Sequence, residues 1–308
     1  MNFREKCDIW ISWLAGEDLH AIWRQIAQLL WDYAFFQTLN ELREEADRKP
    51  TEGVGFNPQV LCLLDAGFVA TQASGVRRLV DRGKDVISLG RLVDDIRHSH
   101  SLLTRENYLA CRNLPYDFEQ AKEAHFRAMA NAPADVAFRG MDTEGPEAWS
   151  EAKRAHARFD KLSEKPGTAR SKGDLVSARW LDRLASRIKD CENVRIFTNK
   201  FIAHAADPSS RSKLTAGQLG VTLRRLAGCH RALLEVAEFV ACRILQCSAG
   251  ASIPTPSFDP LENLDKAWTT PRNPDAGQDT VGGIWEHNHD TVEKWRSGAL
   301  DRFENAAP

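Results

Sequence analysis

Apolar residues recur at intervals of three and four along most of the chain, the spacing that lines one face of an α-helix. In "EDLHAIWRQIAQLLWDYAFFQTLNELREEADRK" the residues Leu19, Ile22, Trp23, Ile26, Leu29, Leu30, Tyr33 and Phe36 form one stripe, which ends in charge and Pro50. "NPQVLCLLDAGFVATQASGVRRLVDRG" predicts a second helix, opened by Pro58 and stopped at Gly83. A third begins at Ser88, a suitable N-cap for "SLGRLVDDIRHSHSLL". Shorter helical stretches follow near 104–113 and 117–131, and "GPEAWSEAKRAHARFDKLSEK" reads as a polar, exposed helix before the break "KPGTARSKGD". Two long helices are expected to close the body, one capped by Asp174 and running to about 206, the other capped by Thr215 and running to about 246. Strand-type alternation is almost absent, so the expected fold over residues 1–248 is an all-α multi-helix bundle with long antiparallel helices.

Beyond "CSAGAS" the pattern changes. Residues 250–308 hold six of the thirteen prolines and ten acidic against five basic side chains, with one short helical signal around "DTVEKWRSGALDRF". Residues 249–308 therefore read as an irregular extension, expected to be held on the helical body by Trp268, Trp285 and Trp295, since bulky aromatics bury much area in a groove.

Composition narrows the picture. A chain of 308 residues, 43% hydrophobic and 27% charged, is of ordinary soluble type. No uninterrupted apolar run reaches the roughly 18 to 20 residues of a membrane span, and "MNFREKCDIW" lacks the features of a signal peptide. A cytoplasmic location with no membrane partner is expected. The seven cysteines are dispersed without a C-x-x-C pair, which points to small core side chains rather than a disulfide framework or zinc knuckle. A net charge of −2 gives no global attraction to polyanions, so any such ligand needs a local patch.

The chain has no G-x-x-x-x-G-K-[ST] loop, no strand-borne G-x-G-x-x-G, no H-E-x-x-H and no G-x-S-x-G. No cofactor or metal is expected. His98 and His100 would point about 200° apart on a helix, poor geometry for sharing one ion. The literal "HNH" at 287–289 lacks the strand-strand-helix context of the nuclease motif of that name.

Two local features carry candidate chemistry. Arg77, Arg78 and Arg82, with Asp81 among them, gather at one helix end, either a salt-bridged surface or a phosphate clamp of the kind guanidinium groups form well. Residues 175–213 add eight Lys/Arg against four Asp/Glu. In "VRIFTNKFIAHAADPSS", His204 closes a helical run whose Phe197 and Phe201 lie within about 60° of it, so the ring either completes an apolar stripe or acts as a base. Lys200 shares its face, and a like charge there favours the neutral, proton-accepting ring. Arg195 lies about 180° around and joins His204 only if the helix breaks or a second subunit supplies it.

"TNKFIAHAADP" and "RRLVDRGKDVISLGRLVDDI" resemble the signature runs of the abortive-infection (AbiU-like) branch of the HEPN superfamily, over roughly residues 20–248. The resemblance implies a helical bundle that often dimerises, with a metal-independent ribonuclease site at Asn199, Lys200 and His204, and a role against phage. The family's arginine falls on Thr198, a neutral residue, so the site either borrows Arg195, Lys200 or the Arg77 to Arg82 cluster, or has lost cleavage. RNA and a second copy of the chain are the expected partners. The alternative is a non-catalytic helical module that binds a partner protein or antitoxin. Nucleotidyl transfer, lacking a phosphate loop and paired carboxylates, ranks third.

Overall fold

A computed structural model of the chain describes residues 2–48, 57–131, 146–247, 259, 262 and 286–294. The chain divides into two units, Met1–Pro254 and Thr255–Pro308. The first is all-α: among the described residues it has helices and no strand. Its helices are α1 (Phe3–Ala15), α2 (Ile22–Arg48), α3 (Pro58–Val80), α4 (Leu89–His98), α5 (Arg105–Ala110), α6 (Phe118–Asn131), α7 (Pro146–Ser163), α8 (Ala178–Ile188), α9 (Glu192–Phe197), α10 (Pro208–Arg211) and α11 (Leu223–Phe239). The second unit is described as a helix over 286–294, on which His287 and His289 are exposed. Trp268, Trp285 and Trp295 lie outside the described residues.

α1, ahead of the first stripe expected from the sequence, arises from apolar residues at heptad spacing. Phe3, Cys7, Trp10 and Leu14 are all buried, behind an Asn2–Glu5 capping box. It is tied to α4 through Asp95, which accepts from Lys6 Nζ at 2.8 Å and Trp10 Nε1 at 2.7 Å. Burial raises the Asp95 carboxyl, but these two donors outweigh it and hold the group below its usual range.

Several predicted boundaries move, each for a local reason. The α2 stripe holds at Ile22, Trp23, Ile26 and Leu29, whereas Leu19 sits ahead of the helix and is 79% exposed. α3 starts at Pro58 behind Asn57 but stops at Val80, short of Gly83, because Asp81 is extended and its carboxylate accepts from Gly83 N at 2.8 Å. Asp174 does not cap a helix: Ser177 does, and Asp174 is buried under Arg105, Lys165 and the Ser171 amide. Thr215 with Gln218 boxes only one 3₁₀ turn, and α11 begins behind Thr222. The two long closing helices are broken. α8 passes through a 3₁₀ turn into α9 and then a π-helical turn, Thr198–Ile202, while α11 passes into a π-helical stretch, Val240–Leu245.

α7 is not a surface helix. Ala148, Trp149, Ala152, Ala155, His156, Phe159 and Leu162 are buried along one face, and its polar letters fill the other. It clasps Arg105, fully buried, whose guanidinium reaches Asp160 at 2.8 Å and Asp174 at 3.1 Å and lies over the Phe159 ring. His156 Nε2–H donates to the Tyr116 carbonyl at 2.8 Å, which leaves Nδ1 to face Arg105 Nη1 at 3.4 Å.

One continuous core runs through α1 to α5, α7 to α9 and α11. α3 is long and apolar enough to cross a membrane by length and composition, the one such helix among the described residues. Its second half is core instead: Gln72, Ala73, Gly75, Val76, Leu79 and Val80 are buried. Cys7, Cys191 and Cys229 are buried free thiols, Cys111, Cys242 and Cys247 are half-buried and Cys62 is exposed.

Candidate functional site

The end of α3 and the α8–α9 corner face each other across a cleft of about 380 Å³. Its wall is set by the turn after α3. Ser88 caps α4 through Arg91 N and donates its own hydroxyl to the Asp81 carbonyl at 2.5 Å, tying the two helices together. Gly90 makes that approach possible: a Cβ there would meet the carbonyl oxygens of Asp81 and Val80, each at 2.6 Å.

Arg77, Asp81, Arg82 and Gly83 line one side, and Lys189, Glu192, Arg195 and Asn199 the other. Arg77 Nε donates to Asn199 Oδ1 at 2.5 Å. Arg195 pairs with Glu192 through Nε (2.8 Å) and Nη2 (2.6 Å), which holds the carboxyl below and the guanidinium above their ordinary ranges, against the opposing effect of burial. Arg82 Nη1 bridges both oxygens of Asp94 at 2.8 Å. Donors are left over on all three arginines: both Nη of Arg77, Nη1 of Arg195, and Nη2 and Nε of Arg82 make no bond among the described residues. The cleft thus carries four cations against the carboxylates of Asp81 and Glu192.

Five of the sequence-predicted residues therefore come together: Arg77, Asp81, Arg82, Arg195 and Asn199 line the cleft, whereas Arg78 follows Arg77 on α3 but is exposed and outside its lining. Lys200 turns away, its Nζ donating to Ser210 Oγ on α10 at 2.7 Å. His204 is not sealed among phenylalanines. Phe197 and Phe201 stack on one another at 5.2 Å, while His204 stands exposed past the π turn, outside the cleft lining, with no partner for its ring among the described residues.

The backbone changes character between Asn199 and His204. Ala203 N bonds the Thr198 carbonyl at 2.7 Å, closing five residues back instead of four, and the helix ends there, ahead of the exposed His204. Thr198 itself is 1% exposed. Its hydroxyl serves the carbonyls of Val194 (2.8 Å) and Ala73 (3.1 Å), so the side chain faces α3 and not the cleft. Lys189 and Glu192 were missed by sequence reasoning. The signal available was the i, i+3 pairing of Glu192 with Arg195.

Among the described residues no group of three or more His, Cys, Asp or Glu could hold a metal ion. His98 and His100 are occupied separately, by the Asp94 and Val176 carbonyls, each at 2.6 Å. Comparison with protein-family models, with curated proteins and with solved structures returned no match.

Proposed function

We propose that this chain acts on RNA, holding a backbone phosphate in the cleft between α3 and α9 and using His204 as the general base of a metal-independent strand scission. The observation that carries the reading is the convergence of Arg77, Arg82, Lys189 and Arg195 on one cleft, with guanidinium donors still unspent. Asp94 and Glu192 take part of the Arg82 and Arg195 forks, and the Asn199 amide oxygen takes part of the Arg77 fork, so the arginines are pre-oriented and a phosphate needs to recruit only the remaining N–H groups.

In the proposed step the 2′-hydroxyl gives its proton to His204 as the 2′-oxygen attacks the neighbouring phosphorus. The cations of the cleft offset the charge that builds on the phosphoryl oxygens. The bond to the 5′-oxygen breaks, that oxygen takes a proton from water, and a 2′,3′-cyclic phosphate and a 5′-hydroxyl result. The resemblance to the HEPN superfamily at Asn199, Lys200 and His204 supports this chemistry, and with it a role in phage defence for a homodimer. A dimer would also cover the exposed apolar side chains Phe35, Leu42 and Leu63 of α2 and α3.

A second reading, a non-catalytic module that binds RNA or a partner protein, is favoured by one observation: Thr198, where the family carries arginine, is committed to packing on α3. The two readings part on one experiment. Wild-type protein and His204→Ala are incubated with a panel of RNAs in the presence of EDTA. Scission predicts cyclic-phosphate ends from the wild type and a rate about 10²- to 10⁴-fold lower in the variant. Equal rates, or no cleavage by either, would remove the catalytic reading and leave the module.

A further inference from the structure

A second cleft, of about 470 Å³, opens between α7, the start of α8 and the end of α11. It shares no lining residue with the cleft of Arg77 and Arg195. One wall is aromatic. Trp180 and Phe239 stack with centroids 5.2 Å apart and planes inclined by 28°, Arg183 lies over the indole at 5.1 Å from its centroid, and Trp180 Nε1 donates to the Lys161 carbonyl at 3.2 Å, which fixes the indole.

The remaining lining is Ala157, Leu162 and four cations, Arg154, Arg158, Lys161 and Arg243, with no carboxylate. Among the described residues, compensation comes from Glu151, which pairs with Arg154 at 2.8 Å and with Arg158, and lies 3.6 Å from Arg112. One negative charge thus serves three guanidinium groups. Lys161 and Arg243 are exposed with no ion-pair partner among the described residues. The backbone is unusual at this spot too. α11 turns π-helical directly after Phe239, and Arg243 stands on that stretch; π turns are rare and occur frequently at functional sites.

An aromatic wall takes a flat ring, and an excess of guanidinium and ammonium groups takes a multiply charged anion. A purely apolar ligand would leave the cations uncompensated, and inorganic phosphate would leave the rings bare. The volume lies within the roughly 300 to 1,000 Å³ of small-molecule sites. We propose that this cleft binds a nucleoside phosphate, its base against Trp180 and Phe239 and its phosphate among Arg158, Lys161 and Arg243. The assignment stands independently of the RNA-scission reading, which uses other residues.

The test is calorimetric titration of the full chain with adenosine 5′-monophosphate, and in parallel with adenosine and with inorganic phosphate. The nucleotide is expected to bind at least about tenfold more tightly than either half, because stacking and ion pairing both contribute. Trp180→Ala should weaken nucleotide binding about tenfold. Arg243→Ala, at an exposed position, should weaken it severalfold, and Arg127→Ala, exposed on α6 and outside both clefts, should leave it unchanged. Absence of nucleotide binding, equal affinity for phosphate alone, or an Arg243→Ala protein that binds like the wild type would overturn the assignment. Because Arg243 is on the surface, that last comparison decides the matter even if Trp180→Ala fails to fold.

Discussion

Replacing Thr198 by arginine would restore the residue that the HEPN resemblance asks for, and the structure predicts that the protein will not tolerate it. Thr198 is 1% exposed, with its hydroxyl shared between the carbonyls of Val194 and Ala73 where α9 meets α3. Thr198→Val removes the hydroxyl and keeps the shape, so it should cost about 1 kcal/mol, the net worth of an ordinary hydrogen bond. Arginine adds two further terms. Overfilling a packed crossing costs about 1 to 3 kcal/mol, and a guanidinium buried without a carboxylate costs several more. A loss of roughly 4 kcal/mol or more is expected, against the roughly 5 to 15 kcal/mol that holds a typical domain folded. For a domain of this size that corresponds to a fall in Tm of about 10 °C. Urea unfolding followed by circular dichroism, with thermal melts beside it, measures both variants. An arginine variant as stable as the wild type, with RNA affinity or cleavage gained, would refute the assignment of Thr198 to packing and place position 198 in the cleft.

Other outcomes follow from the same geometry. His230 on α11 is buried against Tyr33, and burial pushes its imidazole down to about 4; the unfolded chain therefore binds the extra proton between about pH 6.5 and 4, so stability should rise with pH across that window by up to about 3 kcal/mol, and His230→Phe should flatten the profile in pH-dependent urea titrations. Gly90→Ala would drive a Cβ to 2.6 Å from two backbone oxygens; it should cost at least about 1 to 3 kcal/mol and weaken RNA binding along with stability, because the α3–α4 joint carries the cleft wall.

The helices were largely legible because period and caps are local properties. Pro58, Ser88 and the stripe of α2 needed no tertiary information. The failures share a cause. Asp174 and Thr215 have the right chemistry for caps, but Asp174 is claimed by the buried Arg105 and Thr215 by a single 3₁₀ turn, choices made by partners distant in sequence. α7 looked polar because alanines and a histidine supply most of its buried face, and a hydropathy pattern weighs them lightly. At the site, the Arg77 to Arg82 cluster and the Arg195 to Asn199 run each showed in the sequence, since each is contiguous. Their meeting did not, because the Arg77–Asn199 bond joins α3 to the turn after α9. The π turns were illegible as well: nothing in "TNKFI" announces a five-residue closure, and it is that closure which sets His204 apart from the helix expected to carry it. Trp180, Phe239 and Arg243 give no sequence signal, being ordinary members of two separate helical stripes.

In the proposed function the cleft of Arg77, Arg82 and Arg195 receives the phosphate of an RNA strand. Fluorescence anisotropy of a labelled single-stranded RNA, over a series of salt concentrations, tests it most directly with the wild type, Arg77→Ala and Arg195→Ala. Each substitution should lower affinity uniformly across RNA sequences and reduce the salt slope by about one phosphate contact; affinities and slopes indistinguishable from wild type would contradict it.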